Sequence, residues 1–197
     1  MSETLPLMPL NSHVLPGGKL KLRIFEPRYL RMIKEACAAG TGVGMCMLNH
    51  RGEIGANEHI YPLATLCNII DFEPLEHGML GVTLQGVSLY QIKYIYVEAD
   101  GLRRGVVEPQ TLWAQIGDSD SIEVKPLAKA LETIYLHLEE LNRLYSEKHF
   151  DDPQWVTARM LEVLPLDACV KQRMLQSPTV TRPIQWICEL MASDPKS

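Results

Sequence analysis

The sequence predicts an α+β chain: a curved, partly closed β-barrel-like N-terminal subdomain with one inserted helix, followed by an all-α helical subdomain of about four helices. Three observations carry this. Residues 19–25 alternate basic and apolar side chains, the period of a half-buried strand, and from Pro27 the apolar spacing switches to threes and fours, the period of a helix. The longest β signal, Leu63–Leu75 and Met79–Tyr96, contains Gly86, across which the apolar side changes face, as happens where a sheet curves. From Val124 onward only helical spacing remains.

Leu5–Leu10 is a short apolar strand interrupted by Pro6 and Pro9. Proline lacks a backbone donor, so this strand is expected at an edge or a barrel seam. Asn11, Ser12 and His13 form a loop. Leu15-Pro16-Gly17-Gly18 is a turn, because Pro16 presets φ and Gly17 accepts the positive φ of a type II turn. In the strand that follows, Leu20, Leu22 and Ile24 share one face and Lys19, Lys21 and Arg23 the other. The helix then places Tyr29, Met32, Ile33, Ala36 and Cys37 inward and stops at Gly40. Glu26 stands before Pro27, where a carboxylate meets free N–H groups, and Arg28 is expected to tie the helix to the sheet through carbonyls.

Val43–Leu48 reads as a buried strand and Asn49–Asn57 as a polar loop, with His50 and His59 as surface histidines. Glu76-His77-Gly78 joins the two long strands as a hairpin, and Leu102–Pro109 closes the β unit. The polar run Gly117–Ser121 marks a change of regime, giving subdomains at residues 1–116 and 122–195. Val124, Leu127, Leu131, Ile134, Leu138, Leu141 and Tyr145 form one stripe of a long helix with Pro126 in its first turn. Asp151-Asp152-Pro153 starts the next helix, with Trp155, Val156, Arg159, Met160 and Val163 at helical spacing. Asp167 caps another through Leu175. Thr181 with Pro183 opens the last, which places Ile184, Ile187, Cys188 and Met191 inward.

Composition excludes more than it names. With 197 residues, 46% apolar and 22% charged, the chain is an ordinary globular one. A net charge of -5 and a pI near 5.7 disfavour a protein built to neutralise phosphate backbones. The five cysteines, Cys37, Cys46, Cys67, Cys169 and Cys188, lie mostly in apolar runs and read as small buried hydrophobes of a reducing compartment. No CxxC or HxxxH pair occurs, so no metal site is expected. Neither an export signal nor an 18-residue apolar run is present, so the expected location is cytoplasmic, without a membrane. A GxxxxGK[ST] loop, a GxSxG elbow and a serine with a lysine or histidine at a family-typical spacing are all missing, so neither catalytic residues nor a cofactor are expected.

The opening Leu5-Pro6-Leu7, the turn Leu15-Pro16-Gly17-Gly18 and the run Leu22-Arg23-Ile24-Phe25-Glu26-Pro27-Arg28-Tyr29 resemble the N-terminal substrate-recognition domain of Lon (La) proteases. The likeness is to the stand-alone bacterial form and the Lon-like part of cereblon. Gly86, Tyr90 and Ile92 fit the pattern, as do Val106-Val107-Glu108-Pro109 and Leu164-Pro165-Leu166-Asp167 with Lys171-Gln172 and Leu175, whereas Leu89 stands where the family usually has arginine. The resemblance implies a PUA-like barrel and a non-catalytic module that recognises unfolded or apolar polypeptide segments, or serves as an adaptor in protein quality control. A separate protease and a weak homodimer are the implied partners. Pro16, Gly17, Phe25, Glu26, Pro27, Arg28, Tyr29 and Gly86 are the motif residues, expected to be structural. Two other classes stay open: a cryptic peptidase, and a nucleic-acid or small-molecule binding barrel for which Lys19, Lys21, Arg23, Arg28 and Arg31 would form a basic patch.

Overall fold

A computed structural model of the chain describes residues 3–114 and 124–193. It divides into two units, Met1–Thr111 and Leu112–Ser197. The expected boundary between residues 116 and 122, with its polar run 117–121, lies outside the described residues.

The first unit contains β1 (Glu3–Leu10), β2 (Lys19–Ile24), α1 (Pro27–Ala39), β3 (Val43–Leu48), β4 (Ile60–Pro74), a single 3₁₀ turn (Glu76–Gly78), β5 (Leu80–Val97) and β6 (Arg103–Gln110). Strands run β2-β5-β4-β3-β1-β6, and β6 returns to pair with β5, so the sheet is a partly closed ring. The long β5 serves two partners in succession. Its first part, Leu80–Gln85, lies between β2 and the outer end of β4, and its second, Leu89–Val97, pairs with β6. A five-stranded barrel and a three-stranded wing therefore share two strands, β4 and β5. The switch falls at Gly86: Cys67 faces Gly86 and Leu66 faces Ser88, which leaves Val87 as the extra residue of the expected bulge.

β1 is a seam and not an edge. Glu3–Leu7 pairs antiparallel with β6 and Leu7–Leu10 pairs parallel with β3, so among the described residues Leu7 alone is matched on both sides. Pro6 and Pro9 each sit in a half that has only one neighbour, where a missing donor is tolerated. Alternation along the strands separates two apolar clusters. Val43 and Met45 join Met8, Ile24, Val82, Leu84 and the α1 residues Met32, Ile33 and Ala36 in one. Cys46 joins Leu5, Leu7, Ala64, Tyr90, Ile92 and Val107 in the other. Gly40 ends α1 with φ 64°, as expected for a left-handed cap. Cys37 departs from expectation: it is exposed, as is Cys169, while Cys46 and Cys67 are buried. It falls on the margin of the α1 stripe, one position beyond Ala36.

The second unit contains α2 (Lys125–His137), α3 (Glu139–Arg143), α4 (Pro153–Val163), α5 (Ala168–Leu175) and α6 (Thr181–Ser193). The expected single helix over Val124–Tyr145 is broken at Leu138, whose φ of -107° and ψ of 72° are not helical. Packing explains the break. A continuous helix would hold Tyr135 and Tyr145 about 15 Å apart along its axis, yet their rings stack at 5.6 Å and both meet Trp155 edge-on. The aromatic cluster wins, and Leu138 leaves the stripe with 48% of its surface exposed.

Asp152 caps α4 by accepting from the N–H groups of Gln154 and Trp155 at 2.8 and 3.3 Å. Asp167 occupies the cap position of α5 but makes no cap bond with its side chain, so the capping expected there is positional only. Arg159, expected as one more residue at helical spacing, is fully buried and bonded twice to Glu162, at 2.6 and 2.8 Å. No helix among the described residues is long and apolar enough to cross a membrane.

Candidate functional site

The motif residues fall into two groups. In the first, Gly17 has φ 79° and Gly18 N–H donates to the Leu15 carbonyl at 2.8 Å, which is the turn expected of Pro16-Gly17. This turn clasps Gly86 through two backbone bonds, Gly17 N–H to the Gly86 carbonyl and Gly86 N–H to the Gly18 carbonyl, each 2.9 Å. A methyl group on Gly86 would lie 2.2 Å from the Leu15 carbonyl oxygen, so only glycine fits.

The second group is the β2–α1 junction. Glu26 occupies the N-cap position of α1 yet makes no cap bond. Its carboxylate accepts from Arg28 Nη2 at 2.5 Å instead, which corrects the expected capping role. Arg28 Nη1 donates to the Gly101 carbonyl in the β5–β6 turn at 3.2 Å, and its guanidinium lies 4.9 Å from the Tyr29 ring centroid. Burial pushes the Tyr29 hydroxyl pKa up. One turn on, Arg31 bonds Asp100 (2.8 Å), Glu35 (2.9 Å) and Glu98, and Arg104 also bonds Glu98. Hydrogen bonds from Arg104 and Arg31 hold Glu98 below the usual carboxylate range, and those from Arg31 and the Leu102 N–H do the same for Asp100. Arg28 and Arg31 are thus committed to carboxylates of this unit, and the basic patch proposed for phosphate reduces to the outer face of β2. Leu89, in the place of the family's arginine, is buried. His50 is exposed and bonded to Asn11 at 2.6 Å, whereas His59 is half-buried, and burial together with Arg103 lowers its pKa.

Phe25, at 68% exposure, is a large apolar motif residue left open to solvent. It stands at the end of β2, on the wing, and the wing carries the surface that sequence patterning did not single out. Residues directly opposed on antiparallel strands share a face. Three rows cross the wing on one face: Ile69–Leu84–Leu20, Phe72–Val82–Leu22 and Pro74–Leu80–Ile24. The members near α1 are buried, but toward β4 the face opens, with Phe72 61% exposed. On the other face the rows read Asp71–Thr83–Lys21 and Glu73–Gly81–Arg23, acidic on β4 and basic on β2.

β3 ends its match with β4 at Val43–Cys67, so residues 68–74 of β4 have no strand on their second side among the described residues. A cleft of about 690 Å³ opens where that free edge begins, lined by Glu35, Thr41, Gly42, Leu66, Asn68 and Arg104 together with the start of β1. Strand lengths carried the missing signal. A 15-residue β4 beside a six-residue β3 must leave an edge uncovered.

The arrangement offers an apolar surface, a free strand edge and an adjoining cleft. Comparisons with known proteins identify the family. The family model of the ATP-dependent protease La (LON) substrate-binding domain matches residues 4–193. A Lon protease of Parabacteroides distasonis is 29% identical over 94 residues, which are 47% of this chain and 11% of that protein, so the match spans about a tenth of that relative's length. Among solved structures, a Lon N-terminal domain protein from Xanthomonas campestris is 28% identical with a TM-score of 0.69, covering 98% of this chain and 99% of that one. The N-terminal domain of the Mycobacterium avium complex Lon protease shares the fold, with 15% identity, a TM-score of 0.64 and coverage of 97% and 99%. Because the family match runs from β1 through α6, the chain belongs to the substrate-binding domain family of the ATP-dependent protease La (LON).

Proposed function

We propose that this chain is a non-catalytic, cytoplasmic module that binds unfolded or apolar segments of other proteins and passes them to a separate protease. The open apolar face around Phe72 carries the reading: a large aromatic side chain at the end of a packed row, left uncovered, marks a surface made to be covered by something else. A module that accepts varied clients works through apolar and backbone contacts, since fixed polar pairing would restrict it to one partner. Affinity is accordingly modest, on the order of 10 μM, or about -7 kcal/mol.

The test is a titration of the purified protein with a permanently unfolded substrate, such as a reduced and carboxymethylated protein, and with an oligonucleotide at low and moderate salt, alongside a peptidase assay. Saturable binding of the unfolded chain with little salt dependence and no turnover supports the proposal. Oligonucleotide binding that falls steeply with salt would favour a phosphate-binding barrel. Turnover that is lost on replacing one serine or cysteine would favour a peptidase.

A further inference from the structure

We infer that the free edge of β4, residues 68–74, takes up an extended polypeptide as an added strand, and that the segment it favours alternates apolar with basic residues. The inference rests on the proposed binding of polypeptide segments and says where and how they bind. On this stretch β5 satisfies one side of the β4 backbone, and the other side presents its N–H and C=O groups without a strand among the described residues. Seven residues at about 3.3 Å each form an edge roughly 23 Å long, enough for a short strand. The cleft at Asn68 continues the same edge and leaves room for the residues that follow.

The two faces of the edge set the chemistry. An added strand alternates its side chains, as β4 does from Asp71 to Pro74, beyond the extra residue Ile70. On one face they extend the rows that end in Ile69, Phe72 and Pro74, and there an apolar residue covers Phe72 from its open side. On the opposite face they stand beside Asp71 and Glu73, both exposed, where a lysine or arginine is matched and a carboxylate is repelled. The far edge of the wing has less to gain. Leu20, Leu22 and Ile24 already pack on the core there, and Lys19, Lys21 and Arg23 guard it in the manner of many strand edges. The protein's own β2, Lys-Leu-Lys-Leu-Arg-Ile, shows the alternation that would suit β4.

Three fluorescent eight-residue peptides test this by anisotropy: alternating Val/Lys, alternating Val/Glu, and the Val/Lys composition reordered as a Val block and a Lys block. The alternating Val/Lys peptide is expected to bind at least tenfold more tightly than either of the others. Phe72→Ala is expected to weaken it by roughly tenfold, and Asp71→Lys with Glu73→Lys to invert the preference between Lys and Glu. Amide hydrogen exchange supplies the signature that a merely sticky patch would not give, protection of edge amides within 69–73 when the peptide is bound. These substitutions lie on exposed positions, and circular dichroism with a urea midpoint verifies that each variant is folded. Indifference to peptide charge, or protection confined to other residues, would overturn the assignment. Concentration-dependent self-association that involves this edge and that the peptide cannot displace would also overturn it, in favour of a second copy as occupant. If the unfolded protein binds wild type and the three variants equally, the edge falls while the module reading stands; if wild type binds neither peptide nor unfolded protein, both fall.

Discussion

The N–H of Gly17 donates to the carbonyl of Gly86 at 2.9 Å, joining the turn that enters β2 to the bulge at which β5 leaves the wing for the barrel. Wing and barrel are therefore held in one arrangement by two glycines far apart in sequence. Gly86→Ala drives a methyl group into the Leu15 carbonyl and is expected to cost about 1–3 kcal/mol by overpacking. Gly17→Ala is strained by its positive φ and costs roughly 1 kcal/mol. Urea unfolding of the two variants checks the order, which reverses if the turn and not the clasp is what matters.

Arg104 of β6 and Arg31 of α1 govern behaviour in acid. Glu98 and Asp100 have folded pKa values below their unfolded ones, so their contribution is complete above the unfolded carboxylate range near pH 4–4.5. It is lost as pH falls through the lower folded values. Arg31→Ala removes a donor to each and should lower the neutral midpoint while leaving the most acidic midpoints little changed, so that the acid limb flattens. Urea midpoints of wild type and variant between pH 2.5 and 7 are the measurement. Parallel curves would show that the network carries no linkage.

In the helical unit, burial pushes the Lys171 pKa down to about 8, against a partial pull upward from Glu162. Below pH 8 the ammonium is charged in both states and its burial penalty is in force. Between pH 8 and about 10.5 the folded protein releases a proton that the unfolded chain still holds, so stability from this group rises with pH. Lys171→Met is therefore expected to be more stable than wild type at pH 7, with an advantage that shrinks across that window. An advantage that does not vary with pH would point to packing alone.

The break at Leu138 separates two leucines of one predicted stripe. Leu131 is completely buried, and Leu131→Ala should cost about 2–5 kcal/mol. Leu138→Ala should stay within about 0.5 kcal/mol of wild type. Similar losses at both positions would restore the continuous helix.

Periodicity made most of the fold legible. The alternation in 19–24, the switch at Pro27, the stop at Gly40 and the change of face at Gly86 each correspond to an element end or a bulge in the structure. Side-chain partners were not legible in the same way. Nothing local says that Glu26 will choose Arg28 over the backbone, or that Tyr135 will draw Tyr145 back and break a helix of good spacing. The open face of Phe72 was hidden for a related reason. An apolar residue in a strand looks the same whether or not a neighbour covers it, and only the unequal lengths of β3 and β4 expose the difference.

The seam at β1 bears on how the protein is made. Glu3 pairs with Val107, so β1 waits for a strand that leaves the ribosome roughly 100 residues after it. During that interval an apolar strand with both sides open is a template for other nascent chains. Pro6 and Pro9 interrupt its row of donors, making it a poor partner for a stranger, while β6 and β3 need only one half of it each. The prolines that the finished ring merely tolerates guard the chain until β6 arrives.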